Sequence, residues 1–248
     1  MVSVVIPALN EQENIRTSVL TVINAAKAAG DVPLEIILVN DGSTDRTREI
    51  CDDLAREYPF IRPIHHPTNM GQGASILDGI RVASHDLVTM VPADNALPTY
   101  TIRNLLANSG KADYVIAMIM NTEYRSPRRI VLSKIYSNIY TLTFGLPIKY
   151  INAPALWPVE RVRKMNLRAQ RYSLHGEINV KLLRQPITFV EVDGYMNPTM
   201  IKSSAVRLKN VMEVAFCYLR LLVEVFVTQR KEYAHRAQRV LPPGVVDR

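Results

Sequence analysis

The sequence predicts an α/β protein built on a doubly wound, mostly parallel sheet, and three observations carry that reading. Ile36, Ile37, Leu38 and Val39 form an apolar run with no polar alternation, as a strand covered by helices on both faces requires. Strand-like and helix-like stretches alternate over residues 2–91 with short connections, the rhythm of βαβ units. The strands also end in polar turns: Pro7-Ala8-Leu9-Asn10-Glu11, Asn40-Asp41-Gly42-Ser43 and Pro92-Ala93-Asp94-Asn95. In open α/β sheets ligands bind outside the carboxyl ends of the strands, so Asp41 is expected to face one.

Taken in order, residues 2–6 read as a strand closed by Pro7. Asn10, with Glu13 three residues on, has the capping-box arrangement for a helix reaching Gly30. Past the run at 36–39, Ser43 or Thr44 can cap a helix through Tyr58. Residues 63–66 read as a third strand, followed by a glycine-containing turn and a helix to Ala83, and 86–91 as a fourth strand. Beyond Thr99 the pattern predicts a short helix to Ser109, a strand over 114–120, an arginine-rich loop over 123–129 and a helix over 130–144. Pro154 and Pro158 put 152–158 in a loop or an edge strand, because proline does not fit a central ladder. A helix over 177–183, a last strand over 187–192 and one long or broken helix over 205–239 complete the chain. The expected division is a catalytic domain over 1–200 and a C-terminal amphipathic, basic helical region over 201–248.

The chain of 248 residues is long enough to bury one large core, and its formal net charge of +7 favours anionic partners. Nucleic acid is set aside, because aromatics are sparse and no nucleic-acid motif occurs. Cys51 and Cys217 show neither metal-ligand spacing nor a disulfide framework, which suits a reducing compartment and two small core residues. Met1 leads straight into the first strand with no basic region and separate apolar segment, so the expectation is no cleaved leader and a cytoplasmic, peripheral location.

A dinucleotide site needs G-x-G-x-x-G straight after the first strand, where this chain has Pro7-Ala8-Leu9-Asn10; Gly71-Gln72-Gly73 follows the third strand instead. G-x-x-x-x-G-K-[ST] is absent as well, so NAD and P-loop chemistry drop out. Acidic groups gathered at parallel strand ends suit a ligand with hydroxyls, ring NH groups and a metal-bridged diphosphate. Each turn alone reads equally well as cap and turn chemistry; the three together favour a site.

Ser3-Val4-Val5-Ile6-Pro7-Ala8-Leu9-Asn10-Glu11, Val39-Asn40-Asp41-Gly42-Ser43-Thr44-Asp45, and Asn69-Met70-Gly71-Gln72-Gly73 with Gly79 resemble, in order and spacing, the family 2 glycosyltransferases of GT-A fold. Within that family the chain is most similar to the dolichyl-phosphate mannose synthase and polyprenyl-phosphate glycosyltransferase branch, most strongly over residues 1–100. The resemblance implies inverting transfer of a sugar from a nucleotide diphosphate sugar to a polyprenyl phosphate at a membrane or, alternatively, to a glycan hydroxyl. It places Pro7, Ala8, Glu11 and Asp41 against the base and ribose, with Asn40, Gly71 and Gly73 in the same binding set. Asp94 falls on the last acidic position of the D-x-D motif and, with Asn95, is expected to hold Mg2+ or Mn2+. The first acidic position is Pro92 and the usual downstream glutamine is Ala96, departures that leave a non-catalytic sugar-nucleotide-binding protein as the competing reading.

Arg125, Arg129 and Ser133 match positions the branch uses for phosphates and acceptor, and guanidinium groups suit a diphosphate because each donates two parallel hydrogen bonds. The competing reading is a solvated basic loop. Where the branch carries R-x-x-G-x-S-K, this chain keeps Lys202 and two serines, so Lys202 is the expected phosphate contact. Glu177 sits where hydroxyl-directed members place a base; it is either that base or a helix N-terminal carboxylate.

Residues 211–227 are apolar apart from Glu213, Arg220 and Glu224 on one stripe, too short and too charged to span a bilayer, which takes about 20 apolar residues. Lys202, Arg207 and Lys209 before it and Arg230, Lys231, Arg236 and Arg239 after it suit an anionic membrane interface. Packing against the catalytic domain or against a second subunit, as a homo-oligomer, competes with that.

Overall fold

The computed structural model describes residues 1–121, 127–169, 173–197 and 208–240. Its first half follows the expected rhythm: β1 (Val2–Ala8), α1 (Ile15–Ala28), β2 (Leu34–Asn40), α2 (Thr47–Glu57), β3 (Ile61–His65), α3 (Gln72–Val82) and β4 (Leu87–Met90). These strands pair in parallel in the order β3-β2-β1-β4. All of β1 is buried, which explains why its sequence shows no polar alternation. Gly79 lets α3 lie on the sheet, since a Cβ there would meet Val5 Cγ1 at 2.4 Å.

The second half holds α4 (Thr99–Ala107), β5 (Tyr114–Ile119), α5 (Pro127–Phe144), β6 (Ala155–Pro158), α6 (Val159–Lys164), α7 (Leu174–Leu183), β7 (Thr188–Gly194), α8 (Leu208–Val223), a π-helical turn (Glu224–Thr228) and β8 (Gln238–Arg239). The single 8-stranded sheet runs β3-β2-β1-β4-β6-β5-β7-β8, with separate apolar clusters on its two faces. Cys51 and Cys217 are buried in these clusters, and desolvation pushes both thiols up to about 12.

Three expectations are corrected. The segment containing Pro154 and Pro158 is an interior strand, β6, antiparallel to both β4 and β5. Its prolines are tolerated because they bracket it: Pro154 contributes only its carbonyl, accepting from Ala117 N at 2.9 Å, and the ladder beyond Pro158 resumes with Val159 N donating to Asp86 O at 2.8 Å. The C-terminal helix ends at Val223, and the chain returns as β8 alongside β7. Cys217, Leu221, Val225, Tyr233 and Ala237 share one core with Phe144 and Leu146, so the inner side of this C-terminal region packs on the rest of the chain. Asn10 does not cap α1, whose N-cap is Asn14; with φ +55° it reaches across to the second strand end instead.

Candidate active site

The carboxyl ends of β1 and β2 are stitched into one wall. Asn10 N donates to Ser43 Oγ at 2.9 Å, Thr44 N donates to Asn10 Oδ1 at 2.9 Å, and Glu11 N donates to Thr47 Oγ1 at 2.8 Å. Pro7 and Ala8 lie buried at the end of β1, and Asp41 N donates to Ala8 O at 2.9 Å. Glu11 Oε2 accepts from the Asn14 amide at 2.9 Å, which orients its carboxylate across the first turn of α1.

Asp41 is 3% exposed, and its carboxylate organises the next loop. Its Oδ1 accepts from Met70 N at 2.8 Å and its Oδ2 from Gly71 N at 2.8 Å, which fixes the turn where Gly71 takes φ +97° before α3. Gly42 allows the loop to sit there: a Cβ would lie 2.4 Å from Thr68 C, and its φ of +70° already disfavours any side chain. Gly73 follows, buried in the first turn of α3.

Behind this wall stand two histidines that sequence spacing did not mark. His66 Nδ1 lies 2.8 Å from Asp41 Oδ1 and its Nε2 3.1 Å from Asp78 Oδ2 on α3. His65 Nδ1 lies 3.4 Å from Asn40 Nδ2 and its Nε2 3.0 Å from Asp52 Oδ1 on α2. No local motif betrays them, because each partner comes from a different element.

Asp94 sits past the end of β4, where its Oδ1 accepts from Ala96 N at 3.0 Å. Asn95 takes φ +56°, and its Oδ1 accepts from Thr21 Oγ1 on α1 at 3.1 Å. Among the described residues no three or more His, Cys, Asp or Glu side chains group to hold a metal unaided. One carboxylate still fits a hard divalent cation whose other oxygens come from phosphates and water.

Next to the end of β5 lies a mainly apolar cavity of about 650 Å³, lined by Met118, Met120, Ile130, Leu146 and Ile148. Ser133 and Ser137 open into it from α5, with the exposed Lys134 and Lys149 also on its walls. Ser137 Oγ is buried without a hydrogen-bond partner. Arg129 lies in the first turn of α5, while Arg125 and Lys202 fall outside the described residues.

Glu177, expected as either a base or a helix N-terminal carboxylate, lies in the first turn of α7. It is wholly buried on α7, and its carboxylate pairs with Lys181 Nζ at 3.0 Å and Arg220 Nη2 at 2.8 Å while accepting from Ala169 N at 2.9 Å. Lys181 and Arg220 pair in turn with Glu224, at 2.8 Å and 3.5 Å. A wholly buried carboxylate engaged by two cations is turned away from solvent and from an acceptor hydroxyl in the crevice. The neighbouring His175 packs on Trp157 with ring centroids 5.0 Å apart, and desolvation lowers its imidazole to about 4.

The family model "Glycosyl transferase family 2" matches residues 3–169. The chain belongs to glycosyl transferase family 2. Among its family 2 relatives, a dolichyl-phosphate beta-glucosyltransferase of Trichomonas vaginalis is 29% identical over 214 residues, 77% of this chain and 66% of the relative. An undecaprenyl-phosphate 4-deoxy-4-formamido-L-arabinose transferase of Salmonella paratyphi B is 32% identical over 145 residues, 58% of this chain and 44% of the relative. The chain thus spans less than two thirds of the length of either. In fold it is similar to the crystal structure of glucosyl-3-phosphoglycerate synthase from Mycobacterium tuberculosis with Mn2+, uridine diphosphate and phosphoglyceric acid, with a TM-score of 0.62 at 17% identity, covering 90% of this chain and 78% of that one.

Proposed function

We propose that this family 2 chain is an inverting glycosyltransferase that moves a sugar from a nucleoside diphosphate sugar to a polyprenyl phosphate at a membrane surface. The observation that carries the phosphate acceptor over a glycan hydroxyl is the burial of Glu177 in its ion pairs. A sugar hydroxyl needs a base to remove its proton, whereas an ionised phosphate attacks without one. The dolichyl- and undecaprenyl-phosphate relatives and the apolar cavity beside Ser133 support the same choice.

In this reading the joined turns of β1 and β2, with Pro7, Ala8, Asn40 and Asp41, hold the nucleoside, and the loop ending at Gly71 and Gly73 closes over it. Asp94 would hold Mg2+ or Mn2+, which when bound supplies counter-charge to the diphosphate. Phosphate contacts are assigned, on the family resemblance, to Arg125, Arg129, Ser133 and Lys202. An acceptor phosphate oxygen forms the new bond to the anomeric carbon as the bond to the departing nucleoside diphosphate breaks. Positioning and fixed charge do most of the work, as suits a reaction without a covalent intermediate.

The membrane side rests on one surface. α5 exposes Leu132, Ile135 and Leu142, and α8 exposes Phe216 and Leu219. The two helices touch through Thr143 Oγ1 and Tyr218 OH at 2.8 Å and through Phe144 edge-on to Tyr218, with ring centroids 5.9 Å apart. Among the described residues no helix is long and apolar enough to cross a membrane. A face this wide suits lying in an interface, and a second copy of the chain is the other occupant it fits.

The deciding experiment incubates purified protein with labelled uridine and guanosine diphosphate sugars, Mn2+, and either a polyprenyl phosphate or a glycan. Label is expected in the lipid fraction. Transfer only to the glycan would overturn the acceptor assignment, and no transfer from any donor would overturn the enzyme reading.

A further inference from the structure

The geometry points to His66 as the positioning residue for nucleotide recognition: it bridges Asp41 to Asp78 and thereby holds the Asp41 carboxylate against the Met70 and Gly71 amides. The inference rests on the nucleotide-sugar reading and adds to it a residue outside the strand-end motifs. His66 is 8% exposed and Asp41 3%, so the bridge lies behind the crevice wall.

Hydrogen bonding gives the bridge its character. The two ring nitrogens of His66 lie 2.8 Å from Asp41 Oδ1 and 3.1 Å from Asp78 Oδ2, so one planar ring spans carboxylates from two different elements. The adjacent histidine differs. The His65 ring spans an amide and a single carboxylate, with Nδ1 3.4 Å from Asn40 Nδ2 and Nε2 3.0 Å from Asp52 Oδ1. The chain therefore sets two consecutive side chains at the end of β2, Asn40 and Asp41, on two consecutive histidines at the end of β3, each anchored by a helix carboxylate. Of the two arms, only that of Asp41 reaches the Met70 and Gly71 amides, and only it sets a ring between two acids. Gly42 packs close under the same loop, since a Cβ there would lie 2.4 Å from Thr68 C and 2.6 Å from Asn69 N. The positions of Met70 and Gly71 then depend on the orientation of Asp41, and that orientation depends on His66.

The test uses the whole chain with His66→Gln, Asp78→Asn and the double variant. Glutamine can still donate to Asp41 but cannot bridge to Asp78. Hydrogen exchange at the Met70 and Gly71 amides is expected to accelerate in His66→Gln. Affinity for UDP or GDP, whichever binds the unaltered protein, is expected to fall about tenfold or more, the scale of a lost charge-assisted bond. With a donor sugar, KM should rise by more than kcat falls, a split that general destabilisation does not produce. Asp78→Asn should act in the same direction, and the double variant should be no worse than His66→Gln, because the two side chains act in series. If His66→Gln fails to fold, the milder Asp78→Asn carries the same comparison. Unchanged exchange at both amides, or effects of the two substitutions that simply add, would overturn the assignment. Failure of UDP and GDP alike to bind the unaltered protein would count against the donor reading, and the exchange measurement would still decide for His66.

Discussion

Single residues in the wall carry distinct and separable duties. Gly42→Ala combines a strained φ with a clash against backbone, so it should destabilise the fold by about 2 kcal/mol or more and weaken nucleotide binding, as read by urea unfolding and calorimetry. Asp94→Ala should reduce transfer by about 10²-fold or more, with a matching loss of the response to added Mn2+; full activity in that variant would remove Asp94 from the metal role. His175 gives a pH signature. Its folded-state value of about 4 lies below the ordinary 6.5, so its neutral form is the one that fits. The associated stability is fully present above about 6.5 and is lost as pH falls toward 4. His175→Phe should flatten that part of the stability profile, and an unchanged slope would show that other groups govern it. The strand-end residues were legible in sequence because turn chemistry and β-strand punctuation are local. The contacts of Asn95 with Thr21 and of Glu177 with Arg220 were not, since these partners lie 74 and 43 residues away; only Lys181, four residues after Glu177, leaves a spacing signal.

Among the elements, α7 and α8 are joined by charge more than by shape. Glu177, Lys181, Arg220 and Glu224 form a buried quartet in which each helix supplies one acid and one base, the π-helical turn providing Glu224. Removing one member leaves an uncompensated charge, so Lys181→Met should cost about 3–5 kcal/mol in chemical denaturation. Glu177→Gln should likewise lose stability while the folded fraction keeps its turnover; loss of turnover without loss of stability would restore the base role. The apolar and charged stripes of α8 were readable from sequence, but which stripe faces inward was not. Charged residues at helical spacing usually mark a solvated face, and here they mark the buried one while Phe216 and Leu219 point outward. That inversion follows from the partner surface, since α7 presents its own buried acid and base. β6 shows the same limit: its prolines argued for an edge, and only the neighbouring strands reveal that their missing donors fall at the strand's two ends.

At the scale of the whole molecule, the α5–α8 face should govern association with membranes. Leu142 and Phe216 are 82% and 69% exposed, and replacing both with Glu should weaken sedimentation with anionic vesicles by more than about tenfold, the scale expected for withholding two large side chains from an apolar phase. Undiminished sedimentation would remove the membrane assignment, and a change confined to the oligomeric state would favour a second copy of the chain. The sheet that carries this face is two parallel ribbons sewn back to back. β6 is the seam, with two register pairs to β4 on one side and two to β5 on the other. For a chain emerging from the ribosome the halves are unequal. The ribbon β3-β2-β1-β4 draws only on residues up to Met90 and can close while the remainder is still being made. The other ribbon waits for Gln238 and Arg239 to add its outer strand. A nascent chain can thus pair the strands that carry the Asp41 turn well before β7 and β8 are available to complete the other ribbon.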